Sequence, residues 1–338
     1  MIDFRSDTVT KPTKEMRIAM MDVLVGDDVY EDDPTIKELG NLAASMTGFE
    51  AALFVPSGTF GNQLSIMTHT NRGDEIIVGM HSHIKNYEVG AAAVLSGVSY
   101  HIIEEELGMM PLTKIREGVR GDDVHYPDTS LICLENAHGS GKVLPLEYLS
   151  EVRNIANQND LKVHIDGARL FNAATSLDVD VKEITKYADS VMFCLSKGLA
   201  SPIGSMVVGN QKFIDKARRN RKLMGGGMRQ VGILGACGLI SLKEMTKRLK
   251  EDHKNAKYVA EQLSMIPEFD VDFEHLDINM VFVKSTIDFV DLKEYLIPKG
   301  IIIGGYKGEN LRIALHNDIK KEDIELLIKY IKEYLENK

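Results

Sequence analysis

The sequence predicts an α/β fold: a large domain built on a mainly parallel seven-stranded sheet, followed by a smaller α+β domain. Three observations carry this reading. Short apolar runs alternate with longer segments of helical period from about residue 50 to 210. Several of those runs are apolar at nearly every position, as strands covered on both faces must be. Beyond the long charged segment at 241–262 the pattern changes to short strands and two helices.

In chain order the candidate strands of the large sheet are Ala51–Val55, Glu75–Val78, Val98–Ile102, Ser130–Leu134, Lys162–Asp166, Ser190–Cys194 and Ser205–Val208. Helical segments such as Leu146–Asn159 and Asp180–Tyr187 lie between them. Residues 241–262 read as one long amphipathic helix, with Met245, Leu249, His253 and Ala256 at helical spacing. After it come strands at Met280–Val283, Ile301–Ile303 and Asn310–Ala314, and helices at Phe289–Ile297 and Lys321–Tyr334. Residues 1–250, N-terminal segment included, are therefore assigned to the large domain and 251–338 to the small one. A chain of 338 residues, 44% hydrophobic, suits two such domains.

Lys plus Arg number 40 against 50 Asp plus Glu, a net charge of −10. Such a chain is repelled by phosphate backbones and anionic lipid, so neither nucleic acid nor membrane is an expected partner. No run approaches the ~18 apolar residues of a membrane span, and Asp3, Arg5 and Asp7 stand where a signal peptide needs apolar residues. Cys133, Cys194 and Cys237 lack C-x-x-C spacing and fit buried reduced thiols. A cytoplasmic protein is expected.

The segment ADSVMFCLSKGLASPIG places Lys197 after a very apolar strand. A desolvated amine there could attack an aldehyde; alone, the position suits a lysine snorkelling at a strand end equally well. Asp166 closes the strand in KVHIDGARLF, and Lys197 follows it by 31 residues. That leaves room for a helix and one further strand, so both side chains can emerge at one carboxyl edge of a parallel sheet, where α/β folds bind ligands. An amine and a carboxylate so placed suit pyridoxal 5'-phosphate (PLP), whose pyridine nitrogen needs an acid beside it. FVPSGTFGNQLSIM is a strand, a turn and a helix, and the N–H groups of Gly58 and Thr59 could face a single phosphate. GGGMRQ puts three glycines before Arg229, a cation that could reach the same phosphate across a subunit contact.

Taken together, FRSDTVTKPT, GDDVYEDDPT, ALFVPSGTFGNQLSIM, HIDGARLFNA, SVMFCLSKGLASPIGS and GGGMRQVG closely resemble the low-specificity L-threonine aldolases. These are fold-type-I PLP enzymes of the aspartate aminotransferase superfamily, so the large domain is expected to be PLP-dependent transferase-like. The resemblance implies retro-aldol cleavage of L-threonine or L-allo-threonine to glycine and acetaldehyde, with PLP held by Lys197 as a Schiff base. It implies that Asp166 pairs with the pyridine nitrogen and that His83 stacks on the ring. Gly58, Thr59 and Ser196 would hold the phosphate, with Arg229 from a neighbouring subunit. Ser6, Arg169 and Arg312 match groups that bind the substrate carboxylate, with Arg169 also beside the cofactor. His125 matches a histidine near the substrate side chain, and Tyr30 an aromatic from the partner chain. A homotetramer, a dimer of dimers with sites at the dimer interface, is implied as well. Glu31 stands where relatives often carry Gly, Leu315 where Thr is frequent, and the ENAHGSGKVLP loop is short.

His83 and His125 are the candidate bases for the β-hydroxyl proton, with an ordered water as a third. His81 and His83 make only two potential ligands, so no metal is expected. Two alternatives use other chemistry. A different lyase or transferase on this scaffold, by β-elimination or transamination, would keep Lys197 and Asp166 but break Cα–H. A PLP-binding regulatory protein would need a DNA-reading segment, and no basic helix-turn-helix stretch is visible.

Overall fold

The computed structural model describes residues 1–306 and 310–337. Seven strands form the large sheet: β1 (Ala51–Val55), β2 (Glu75–Gly79), β3 (Ser99–Ile103), β4 (Thr129–Glu135), β5 (Lys162–Asp166), β6 (Ser190–Cys194) and β7 (Ser205–Gly209). Their order across the sheet is β1-β7-β6-β5-β4-β2-β3. β7 runs antiparallel to both neighbours, and the other four neighbouring pairs are parallel. The expected α/β fold with a mainly parallel seven-stranded sheet is the observed one. β2, β6 and β7 are buried at every position, in keeping with runs that are apolar at nearly every residue. Each fully covered side chain there, such as Ile76, Ile77 or Phe193, contributes about 1.5–3 kcal/mol of transfer free energy.

The parallel register brings the strand ends that matter into line. Asp166 of β5 lies beside Glu135 of β4 and Met192 of β6. Lys197 follows β6 by three residues, so it emerges at the same edge. Helix α1 (Gly58–His69) starts over that edge directly after β1. Its close approach depends on Gly58, where a Cβ would stand 3.0 Å from Cys194 Sγ and 3.3 Å from Met192 Cε.

A second sheet, β8 (Phe269–Val271), β9 (Met280–Ser285), β10 (Gly304–Tyr306) and β11 (Asn310–Ala314), is antiparallel in the order β10-β11-β9-β8. It carries its own apolar core, separate from the large one. The start of the chain belongs to this second core. Ile2–Asp3 pairs with Ile301–Ile302, and Phe4 is fully buried there. Ile2 and Phe4 are the apolar positions of an otherwise charged segment, and the second sheet offers them cover. Residues 6–10 then cross to the large sheet, where the Thr10 hydroxyl donates to the Lys197 carbonyl at 2.9 Å.

The single helix expected at 241–262 is two. Helix α2 (Gly232–Lys243) ends before a 3₁₀ turn at Met245–Arg248, and helix α3 (Leu249–Ser264) follows. The apolar stripe misled because all four of its members are buried, Met245 in the 3₁₀ turn and Leu249, His253 and Ala256 in α3. α2 lies tightly on the Pro34–Thr47 helix, with Gly235 and Gly238 against Ile36 and Leu39. α3 turns away to serve the second core, which takes Ala256, Val259 and Leu263. The helix expected at Asp180–Tyr187 is likewise shorter, Lys182–Thr185.

Candidate active site

At the carboxyl edge of the large sheet lies a cavity of about 570 Å³. Its floor is made by Asp166, Lys197, Ser196, Gly58, Thr59 and His83. Ser57 caps α1, taking the Phe60 N–H with its hydroxyl at 3.1 Å and the Gly61 N–H with its carbonyl at 3.0 Å. The Gly58 and Thr59 N–H groups remain at the open first turn, where an anion is favoured. Lys197 is half-buried, its main chain fixed by Thr10 and by the Ala200 N–H at 2.9 Å.

Asp166 is buried and its carboxylate is held by donors on both oxygens. The Ala168 N–H reaches Oδ1 at 3.0 Å and the Asn62 amide reaches Oδ2 at 2.8 Å. Asn62 also donates to Glu88 Oε1 at 2.8 Å, and the same oxygen meets His83 Nδ1 at 2.8 Å. Burial pulls the His83 imidazolium down, but the Glu88 hydrogen bond and the charges of Asp166, Glu88 and Glu135 outweigh it, so its pKa is raised. Glu135 accepts the His83 N–H at 2.7 Å and the Gly139 N–H at 2.7 Å, fixing the backbone under that ring. Burial, with Asp166 adding to it, pushes the Glu135 carboxyl up despite His138 nearby. The ligating atoms of His83, Glu88 and Asp166 lie within 4.8 Å of one another. Asn62 bridges the two carboxylates and His83 meets Glu88, so hydrogen bonds link the three side chains.

The cavity is also lined by Ser6, Arg169 and Arg312. Arg169 is buried and bound in a fork by Asp7, Nε to Oδ2 at 2.8 Å and Nη2 to Oδ1 at 2.7 Å. Burial alone would raise the Asp7 carboxyl, yet the Arg169 guanidinium and then the Lys197 charge hold it well below the usual carboxylate range. Arg169 is thus a fixed cation. Arg312 comes from β11 of the second sheet, its Nη2 donating to the Arg5 carbonyl at 3.1 Å.

Three expected residues lie outside the cavity of their own chain. His125 does not join the others: its side chain is 81% exposed, with Nδ1 on Asp123 at 2.7 Å. It sits in the loop before β4, far more polar than the strand it precedes, and nothing in one chain draws it inward. Tyr30 is 77% exposed, and Arg229 pairs with Asp27 at 2.9 Å, its guanidinium 5.9 Å from the Tyr30 ring. Glu31 beside them has φ of +60°, a left-handed backbone that favours glycine.

Sequence reasoning missed Asp7, Asn62, Glu88, Glu135 and His138 as contributors. Asn62 and Asp7 are fully buried, but each has polar neighbours in the chain, so no local pattern marked them. Glu88 and His138 lie in short loops with no pattern to mark them.

The donor set fits PLP on grounds internal to the structure. A half-buried amine, a donor-braced carboxylate, an open helix N-terminus and an imidazole share one cavity of suitable size. Comparison with known proteins agrees. Residues 3–286 match the beta-eliminating lyase family. The chain is 44% identical to the low specificity L-threonine aldolase of Escherichia coli K12, covering 96% of each chain. It is 44% identical to a probable low-specificity L-threonine aldolase 2 of Arabidopsis thaliana, covering 97% of this chain and 95% of that one. Its fold matches the threonine aldolase of Leishmania major with a TM-score of 0.86 at 17% identity, over 99% of this chain and 100% of that one. The chain is a PLP-dependent lyase that belongs to the low-specificity L-threonine aldolase family.

Proposed function

We propose that this enzyme cleaves L-threonine and L-allo-threonine to glycine and acetaldehyde by breaking the Cα–Cβ bond. The observation that carries the reading is the convergence of Lys197, Asp166 and Arg312 on one cavity. Lys197 would hold the cofactor aldehyde, Asp166 its pyridine nitrogen, and Gly58, Thr59 and Ser196 its phosphate. When bound, the protonated ring supplies an electron sink for the pair left on Cα.

The chain's own residues do the rest. Arg312, with Ser6, grips the substrate carboxylate, and Arg169 supplies a fixed positive charge behind it. That grip decides which Cα bond stands across the ring face. His83 donates Nδ1–H to Glu88, so Nε2 carries the free lone pair and accepts the β-hydroxyl proton, directly or through a water. Acetaldehyde leaves as that proton departs, and Cα takes up a proton to give glycine.

Tyr30, Arg229 and His125 complete the site from a neighbouring copy, in a tetramer assembled as a dimer of dimers. Their exposure away from their own cavity supports this. Residues 251–338 act as a small domain that delivers Arg312. No helix among the described residues is long and apolar enough to cross a membrane. The three free, buried cysteines suit a reducing cytoplasm.

The test offers L-threonine without any keto acid. Equal amounts of acetaldehyde and glycine are expected; ammonia with 2-oxobutyrate would instead indicate β-elimination and overturn the reading.

A further inference from the structure

Behind Asp166 a line of buried polar side chains runs through the large core. Asn62 is fully covered and donates to Asp166 Oδ2 and Glu88 Oε1. Carboxylate oxygens can be met only by donors, so the amide oxygen must face away from them. It faces His164 Nε2 at 3.2 Å. An accepting oxygen there requires the His164 proton on Nε2, which leaves Nδ1 as an acceptor. The Ser190 hydroxyl, 2.8 Å from Nδ1, must then donate to it. With its single proton spent, Ser190 accepts from His69 Nε2, also at 2.8 Å. Every N–H and O–H in the line points the same way, from His69 toward the two carboxylates.

Both imidazoles are held neutral. Burial drives His164 down to about 3, with His69 adding to the effect and Asp166 opposing it. His69 falls to about 4 by burial; Asp189 raises it, while Lys162 and Lys216 lower it. His164 is fully buried on β5 between Val163 and Ile165, where packing alone would favour a third apolar residue.

We propose that His164, backed by Ser190 and His69, is a positioning residue: it locks the Asn62 amide so that Asp166 keeps its orientation and negative charge toward the pyridine nitrogen. The inference rests on Asp166 being the partner of that nitrogen. A reversed amide would set its oxygen against two carboxylates and loosen both Asp166 and the Glu88–His83 pair.

The direct test uses histidine-selective ¹⁵N labelling of the cofactor-loaded enzyme. The imidazole signal lost in His164→Gln identifies the residue. A neutral ring protonated at Nε2 throughout the neutral pH range is expected; a proton on Nδ1, or a charged ring, would overturn the proposal. A second arm compares His164→Leu with His164→Gln, whose amide can still donate to Asn62. Leu should weaken PLP binding roughly ten- to hundredfold and alter the absorbance of the bound cofactor. Gln should stay within about threefold of wild type. Wild-type affinity and spectrum in the Leu variant would contradict the proposal. Should the Leu variant not fold, the tautomer in the native enzyme decides the matter. A wild-type chain that takes up no PLP would sink the site assignment itself, a result separate from either reading of His164.

Discussion

The floor of the cavity and its rim are built on different terms. Asp166, Asn62, Glu88 and His83 brace one another by hydrogen bonds within a single chain, and the first three are buried. Tyr30, His125 and Arg229 sit on exposed loops, their side chains in contact with neighbours on the same surface. Between them stands Arg312, delivered by the second sheet. The difference teaches where the chemistry and the selectivity reside. Groups that must hold one orientation lie on strand ends and a capped helix, whereas Tyr30, His125 and Arg229 stay on the surface of the single chain, and the proposed partner contact is what would bring them to a site.

The largest effect that can break this comparison comes from the floor. Asp166→Asn keeps the shape but removes the charge, and leaves the Asn62 donors facing a neutral amide. Cleavage of threonine is expected to fall about 10²–10³-fold, together with PLP affinity. A variant with near-normal turnover, measured as acetaldehyde release, would show that the braced carboxylate is not what the ring needs. Next comes the contribution of the second sheet. Arg312→Lys retains the charge but loses the planar fork, so KM for threonine should rise roughly ten- to hundredfold with kcat changed less. An unchanged KM would move the carboxylate grip to Arg169 and Ser6.

A smaller effect sharpens the rim. Arg229→Ala should weaken PLP binding by about tenfold although the residue lies outside its own cavity. No change in affinity, by titration of the cofactor-free protein, would remove the partner contribution. The mildest is a shift in pH. His83 has a raised pKa because Glu88 and the nearby carboxylates outweigh burial. The base must be neutral, so turnover should climb as pH rises through that value. Glu88→Gln lowers it and should move the climb toward lower pH; a profile that stays in place would exclude His83 as the titrating base. The stability that the pair lends is full below the ordinary histidine pKa and is lost as pH rises through the raised one.

Much of the floor was readable from residue order, for a physical reason. A parallel strand buried on both faces has few polar residues, so those at its carboxyl end stand out, as Asp166 and Lys197 do. The same logic marks the Gly58 turn, where a helix must start against a strand. The bracing groups were harder to see. His164 looks like an isolated polar break in an apolar strand, Asn62 is one of several polar residues on its helix, and Glu88 lies in a loop, so their meaning depends on contacts between residues far apart in the chain. His125 shows the opposite failure: the motif around it names a candidate, but one chain alone leaves it in solvent. The long helix at 241–262 was misread because its apolar stripe, which starts in the 3₁₀ turn at Met245, carries no mark of the break that precedes it.

The central claim concerns one amine, and it can be tested without turnover. The PLP-loaded enzyme is reduced with borohydride, digested, and its peptides are weighed. The account predicts a phosphopyridoxyl group fixed on the peptide containing Lys197, and none after Lys197→Ala. A stable adduct on another lysine, or an unmodified Lys197 in fully loaded enzyme, would contradict it.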